Sequence, residues 1–263
     1  MAYREDIYKS DNFIEHDLKW SGRYGARGEK RSPKKKATPE QIKKQNFRNK
    51  VNHIRRLIQK NFYPNDIWAT LKYPAGTRKT IKEVETDIKK FQDGMRKEYK
   101  KRGEEFKWIK RIEIGRNGGL HAHFIINRIE LAEVLMSKHW IGIVWFENIR
   151  ESGGMEALAE YITKPIPEEV EQLSFIPMDT VKRCAKYSCS RNLDKPEPER
   201  KEYKRRTVKK ILNDNPKPRE GFYIDTASIR IGINPYTGYS YMTYREIRLK
   251  PIERKIRPGG MRC

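Results

Sequence analysis

The stretch GGLHAHFIIN, residues 118–127, sets two histidines one residue apart in an apolar run, in a chain with five histidines in all. On a β-strand, residues two apart point to the same side. His121 and His123 then stand together on one face, with Leu120, Ala122 and Phe124 on the other. The preceding segment RIEIG carries Glu113 between Ile112 and Ile114. A lone carboxylate in that setting is costly to bury without a partner. A divalent ion held by two imidazoles and one carboxylate removes the cost and leaves coordination positions for a substrate oxygen and water. GRNGG, residues 115–119, reads as a hairpin turn that makes Glu113 and His121 expected cross-strand neighbours.

The second group is Tyr161 with Lys164 in EALAEYITK. On a helix these are i and i+3 and share a face. A phenol is a poor nucleophile at its ordinary pKa of about 10. A nearby cation, or a metal polarising the target phosphate, raises its competence. A His-x-His metal site and a helical Tyr-x-x-Lys together supply the parts for cutting a phosphodiester through a tyrosyl phosphate. Each part has a plainer explanation when taken alone. Alternating histidines occur in strands without metal, Glu113 can cap an exposed strand face, and Tyr-x-x-Lys arises by chance in Lys-rich chains. Tyr161 is one of fourteen tyrosines. Tyr187, in KYSCSR, is its main competitor but lies in a polar segment with no expected helix, and Tyr73 sits at a strand end suited to packing. No second tyrosine lies three or four residues from Tyr161. His16, His53 and His139 read as incidental, with His139 a packing or capping residue beside Trp140.

These side chains need elements to hold them. Thr38, Pro39 and Gln41 signal a helix start, and the helix is expected to run to about Lys60. DIWATLKYP, 66–74, reads as a strand. Residues 80–101 read as a helix, with Ile81, Val84, Ile88, Phe91 and Met95 at helical spacing. Strands follow at 106–115 and 120–127, a helix at 128–140, a strand at 142–149 and a helix at 153–165 ended by Pro165. The order β-α-β-β-α-β-α predicts an α+β fold with a ferredoxin-like, split βαβ core: an antiparallel sheet with helices on one face and the other face free for a site.

Around that core the expected organisation is a basic, flexible N-terminal arm over 1–37, a core with its leading helix over 38–165, and a basic extension over 166–263. The arm carries Phe13, Trp20 and Tyr24 among charges and has no expected core of its own. The extension is expected to hold a short basic helix near 199–212, two short strands around NPYTG, and a loose basic tail. It is a candidate for binding duplex DNA or stacking on unpaired bases.

Composition points to the partner. The chain has 263 residues, 58 Lys and Arg against 35 Asp and Glu, and a net charge of +23. That excess predicts a polyanion, nucleic acid first. The alternative of a basic surface kept for solubility is weaker, because acidic residues serve solubility better. Cys184, Cys189 and Cys263 are an odd number without zinc-site spacing and read as plain thiols of a reducing, cytoplasmic compartment. No run approaches the ~20 apolar residues of a membrane span, and no signal-peptide core opens the chain.

HAH with Glu113 upstream, WATLKYP at 68–74 before it and YITK on a following helix resemble the HUH endonuclease superfamily, in particular the rolling-circle replication initiators of bacterial plasmids and phages. Lys72 stands where that family commonly has a small polar residue. The resemblance covers roughly residues 60–165. It implies Mg or Mn at Glu113, His121 and His123, attack by Tyr161, a 5′-phosphotyrosine intermediate and a freed 3′-OH that primes synthesis. Expected partners are single-stranded and duplex DNA at a replication origin. No G-x-x-x-x-G-K-[ST] sequence is present, so strand separation would fall to a host helicase and synthesis to a host polymerase. Two further readings stay open: a relaxase or single-tyrosine transposase with the same chemistry, and a basic nucleic-acid-binding protein with structural histidines and no catalysis.

Overall fold

The computed structural model describes residues 2–22, 33, 36–115, 117–167, 176–214 and 216–256. The elements run β1 (Tyr3–Lys9), β2 (Phe13–Trp20), α1 (Pro39–Asn61), β3 (Ile67–Lys72), α2 (Ile81–Lys101), β4 (Trp108–Ile114) and β5 (Leu120–Ile126). They continue with α3 (Ala132–His139), β6 (Ile143–Asn148), α4 (Gly154–Thr163), α5 (Met178–Cys184), β7 (Tyr187–Cys189), β8 (Glu199–Tyr203), α6 (Arg205–Asn213), β9 (Phe222–Ile233) and β10 (Ser240–Arg248). The chain divides into two compact units, each built from two stretches of sequence: Met1–Asn49 with Lys195–Ile252, and Lys50–Asp194 with Glu253–Cys263.

The second unit holds the motifs. Its sheet has the order β6-β3-β5-β4-β7, with each neighbouring pair antiparallel. From β3 to α4 the element order is the expected β-α-β-β-α-β-α, and the fold is α+β. One face of the sheet presents Ala69, Leu71, Ile112, Ala122 and Phe124 to Val84, Ile88, Phe91 and Met95 of α2 and to Leu135 and Met136 of α3. Both α1 and α2 start on reciprocal caps. Thr38 and Gln41 exchange bonds of 3.0 and 3.3 Å, and Thr80 with Glu83 forms a capping box. The face expected to be free is not bare. The Arg111 guanidinium on β4 donates to the carbonyls of Tyr161, Ile162 and Lys164, and the Trp68 and Tyr161 rings meet edge to face, which places α4 over that side.

Three local readings are corrected. The helix expected from residue 128 begins at Ala132, after Leu131 at φ 58°. Arg128 instead spends its amide on Asp66 Oδ1 at 2.7 Å and its Nε on the Asn65 carbonyl at 2.6 Å. The helix expected to reach residue 165 ends at Thr163. Lys164 precedes a proline, whose ring disfavours helical backbone one residue earlier, and it is extended at ψ 144°. The tail is not loose at residue 254. Arg254 Nε and Nη2 hold the fully buried Asp66 at 2.6 and 2.9 Å, and its amide donates to Asn65 at 2.8 Å.

The first unit overturns the idea of an arm. Residues 3–20 form two strands of a sheet with the order β8-β1-β2-β10-β9. Ile14, His16 and Leu18 alternate inward along β2, and Tyr3 and Ile7 are buried on β1. That is strand periodicity, but the neighbours β8 and β10 arrive far later in the chain. Residues 23–32, 34 and 35 of the expected arm, Tyr24 among them, lie outside the described residues, as does Cys263. The extension differs too: the helix expected near 199–212 is β8 followed by the shorter α6, while β9 and β10 flank NPYTG as expected. His16 is not incidental. It is buried, 2.7 Å from Glu5 and 2.9 Å from Glu246, and its ring stacks on Tyr244. Cys184 is buried and free, its thiol pushed up to about 12 by burial, and Cys189 is exposed and free. No helix of the described residues is long and apolar enough to cross a membrane.

Candidate active site

Sheet register assembles the site in the second unit. The turn after β4 closes through Gly115 N to the Gly119 carbonyl at 2.8 Å, with Gly118 at φ 76°, a left-handed backbone that suits glycine. Glu113 is thereby set directly opposite His121, and Arg111 opposite His123. On the other side of β5, Thr70 of β3 faces His123. Directly opposed residues share a face, so Glu113, His121, His123, Arg111, Thr70 and Trp68 all lie on the side that α4 crosses.

The reactive groups converge there. Tyr161 donates its hydroxyl to Glu113 Oε2 at 2.6 Å, and the same hydroxyl oxygen lies 3.0 Å from His123 Nε2. His123 Nε2 is 3.0 Å and His121 Nε2 is 3.8 Å from Glu113 Oε2. Lys164 Nζ pairs with Glu113 Oε1 at 2.8 Å and sits 3.7 Å from the centre of the Tyr161 ring. Lys164 has left the helix, yet its side chain still reaches the tyrosine.

Supporting contacts fix these groups. Thr70 Oγ1 meets His123 Nδ1 at 3.0 Å, which orients the ring and leaves Nε2 toward Glu113. Trp68 stacks flat on the same imidazole, with centroids 5.1 Å apart. Arg111 is among the largest fully buried side chains, and its bonds to the carbonyls that end α4 hold the turn carrying Tyr161. Trp68, Thr70 and Arg111 were not singled out from sequence. Their only sequence signal is spacing: Trp68 and Thr70 alternate along one strand, and Arg111 is two residues before Glu113.

Charge follows from these contacts. Burial by itself raises the Glu113 carboxyl, but hydrogen bonds from His123, Lys164 and Tyr161 outweigh it and hold the group well below the usual carboxylate range. Burial pushes His121 down to about 4, with the neighbouring His123 adding to the effect, so its ring is neutral at pH 7. Burial raises the Tyr161 phenol well above its ordinary value, and the bond to the Glu113 carboxylate raises it further. Arg111 works in the opposite direction.

Glu113, His121 and His123 each offer one ligand atom, and these atoms lie within 4.8 Å of one another. They are the one such group of three or more among the described residues. An ionised carboxylate with a neutral imidazole suits a divalent cation, and imidazole with carboxylate accepts several metals. Tyr187 stands apart: it lies on β7 opposite Arg111, with the Lys50 ammonium over its ring, and has no bond to the triad among those described. Tyr73 packs on Trp140 and donates to Asp87 at 3.0 Å, as its strand-end position suggested. His139 lies against Gly94 of α2, in keeping with a packing role.

No curated protein and no solved structure compared with the chain gives a match. Residues 66–167 match the model of a replication-associated protein family of the rolling-circle initiator type, and the matched segment contains Glu113, His121, His123, Tyr161 and Lys164.

Proposed function

We propose that this protein is a metal-dependent, site-specific single-strand DNA endonuclease that starts rolling-circle replication by nicking and rejoining DNA. The observation that carries the reading is the meeting of Tyr161 with Glu113 and His123 at 2.6 and 3.0 Å. The replication-associated family match across the same residues supports it.

Glu113, His121 and His123 would hold Mg or Mn. When bound, that ion supplies Lewis-acid polarisation of the scissile phosphate and offsets its charge. Tyr161 Oη attacks phosphorus, the bond to the 3′ oxygen breaks, and that oxygen leaves with its electron pair to become the 3′-OH. The 5′ phosphate stays on the tyrosine. Rejoining is the reverse, with a 3′-OH displacing the phenolate. The nearest acceptor for the phenol proton is Glu113 Oε2. Lys164, beside both the ring and the carboxylate, balances negative charge as it builds on the phenolate and phosphate. Thr70 and Trp68 keep the His123 ring in place. Relaxase and transposase roles would use the same groups; the family match favours replication.

The test is a denaturing gel of labelled single-stranded DNA with Mn, comparing wild type and Tyr161→Phe with and without chelator. A covalent protein–DNA band that needs both metal and Tyr161 is expected. An adduct that persists in Tyr161→Phe assigns the nucleophile elsewhere. Autonomous replication of a minimal plasmid carrying the gene separates an initiator from a transfer or transposition enzyme.

A further inference from the structure

Trp145 is 64% exposed on β6, the edge strand of the sheet that carries the site. Large aromatic side chains are ordinarily well buried. Ile143, two residues before it, is 53% exposed. Register shows which way they face. Trp145 is directly opposite Thr70, and Thr70 is directly opposite His123. Ile143 is directly opposite Lys72, the exposed last residue of β3. Trp145 and Ile143 therefore lie on the same side of the sheet as the triad, two strand spacings or about 10 Å from the β5 histidines. Lys72 stands between them and His121 and is close enough to depress the His121 imidazole electrostatically. At the other end of β6 the same face carries Glu147, opposite Trp68. That carboxylate repels a phosphate backbone, so the cationic and aromatic way out of the site runs past Lys72 to Trp145.

We infer that Trp145, backed by Ile143, is a stacking platform for an unpaired base of single-stranded DNA next to the scissile phosphate, with Lys72 taking the intervening phosphate. Every base has a π-face, so such a platform holds a strand without reading its sequence. The occupant is nucleic acid because the patch is continuous with the candidate nuclease site, has a cation at its inner border, and belongs to a chain of net charge +23. The inference rests on the nuclease reading for the identity of the strand, but it can be tested without any chemistry.

The experiment measures binding of a fluorescein-labelled oligo-dT to the full chain in EDTA, which removes cleavage, for wild type, Trp145→Ala and Trp145→Phe. Loss of one base–aromatic stack raises the Kd about five- to 150-fold. We expect Trp145→Ala to fall in that range and Trp145→Phe to keep most of the affinity. Quenching of tryptophan fluorescence by oligo-dT should shrink in Trp145→Ala. Duplex DNA of the same length should bind both proteins alike, since its bases are already stacked. Because Trp145 is exposed, its removal should leave the melting temperature unchanged, which separates lost contact from lost fold. Unchanged oligo-dT affinity and quenching in Trp145→Ala would overturn the inference. So would an equal loss on duplex, or a wild-type dimer that Trp145→Ala turns into monomer, which would assign the patch to a second copy. Failure of Tyr161 to form an adduct, with stacking intact, would sink the nuclease reading alone.

Discussion

At the residue scale, buried charge is tolerated where contacts arrange it. Glu113 stays ionised because His123, Lys164 and Tyr161 all bond it. Lys110, one residue before Arg111, is the opposite case. It alternates to the core face, opposite Phe124, with its ammonium 5.2 Å from the Trp108 ring centre and a 3.2 Å bond to the neutral Gln92 amide. Burial pushes its pKa down to about 8 from 10.5. A lysine with a lowered folded-state pKa costs stability wherever the folded chain must carry the charge, and the cost disappears once both states are neutral. Lys110→Met is therefore expected to stabilise the fold at pH 7, by on the order of 2 kcal/mol after loss of the Gln92 bond. The gain should be constant below pH 8, shrink from about 8 to 10.5, and be gone above that range. Urea denaturation at pH 7, 9 and 11 checks it. A gain that does not change with pH would show that packing rather than charge is responsible.

At the element scale, β6 has to enter the sheet edge very close to β3. A Cβ on Gly142 would lie 2.1 Å from the Lys72 carbonyl oxygen and 3.1 Å from Trp140 Nε1. That carbonyl also accepts the Trp140 indole at 2.9 Å, so it has little room to retreat. Gly142→Ala must displace backbone, and overpacking of this kind costs roughly 1–3 kcal/mol. A lower unfolding midpoint is expected for Gly142→Ala, against almost no change for Ile141→Ala, whose side chain is exposed. Equal midpoints would mean that the edge strand yields freely. The same closeness fixes where Trp145 stands relative to Thr70, so Gly142→Ala should also weaken oligo-dT binding.

At the scale of the whole molecule, the chain leaves the first unit and returns to the second in its final residues. Arg254 is the anchor: its guanidinium neutralises Asp66, which has no solvent exposure and also accepts the amides of Tyr63 and Arg128. Removing one partner of a buried pair strands the other charge, at about 3–5 kcal/mol. Arg254→Met is expected to lose that much in urea denaturation, and Asp66→Asn in the same background to recover part of it. A loss below about 1 kcal/mol would mean that water replaces the guanidinium.

Most of the second unit was legible in the sequence because its signals are local. Periodicity of two put His121 and His123 on one side of a strand, periodicity near 3.6 marked the buried stripe of α2, and glycines marked the hairpin that sets Glu113 against His121. Net charge pointed to nucleic acid without any fold. Other features depended on pairs far apart in the chain, which periodicity does not encode. These include the pairing of β1 and β2 with strands from beyond residue 198, the crossing of α4 over the site face, and the docking of Arg254 on Asp66. The choice of Tyr161 over Tyr187 as the partner of Glu113 is of the same kind. A helix can place a tyrosine on one of its sides, but only packing decides which carboxylate that side meets.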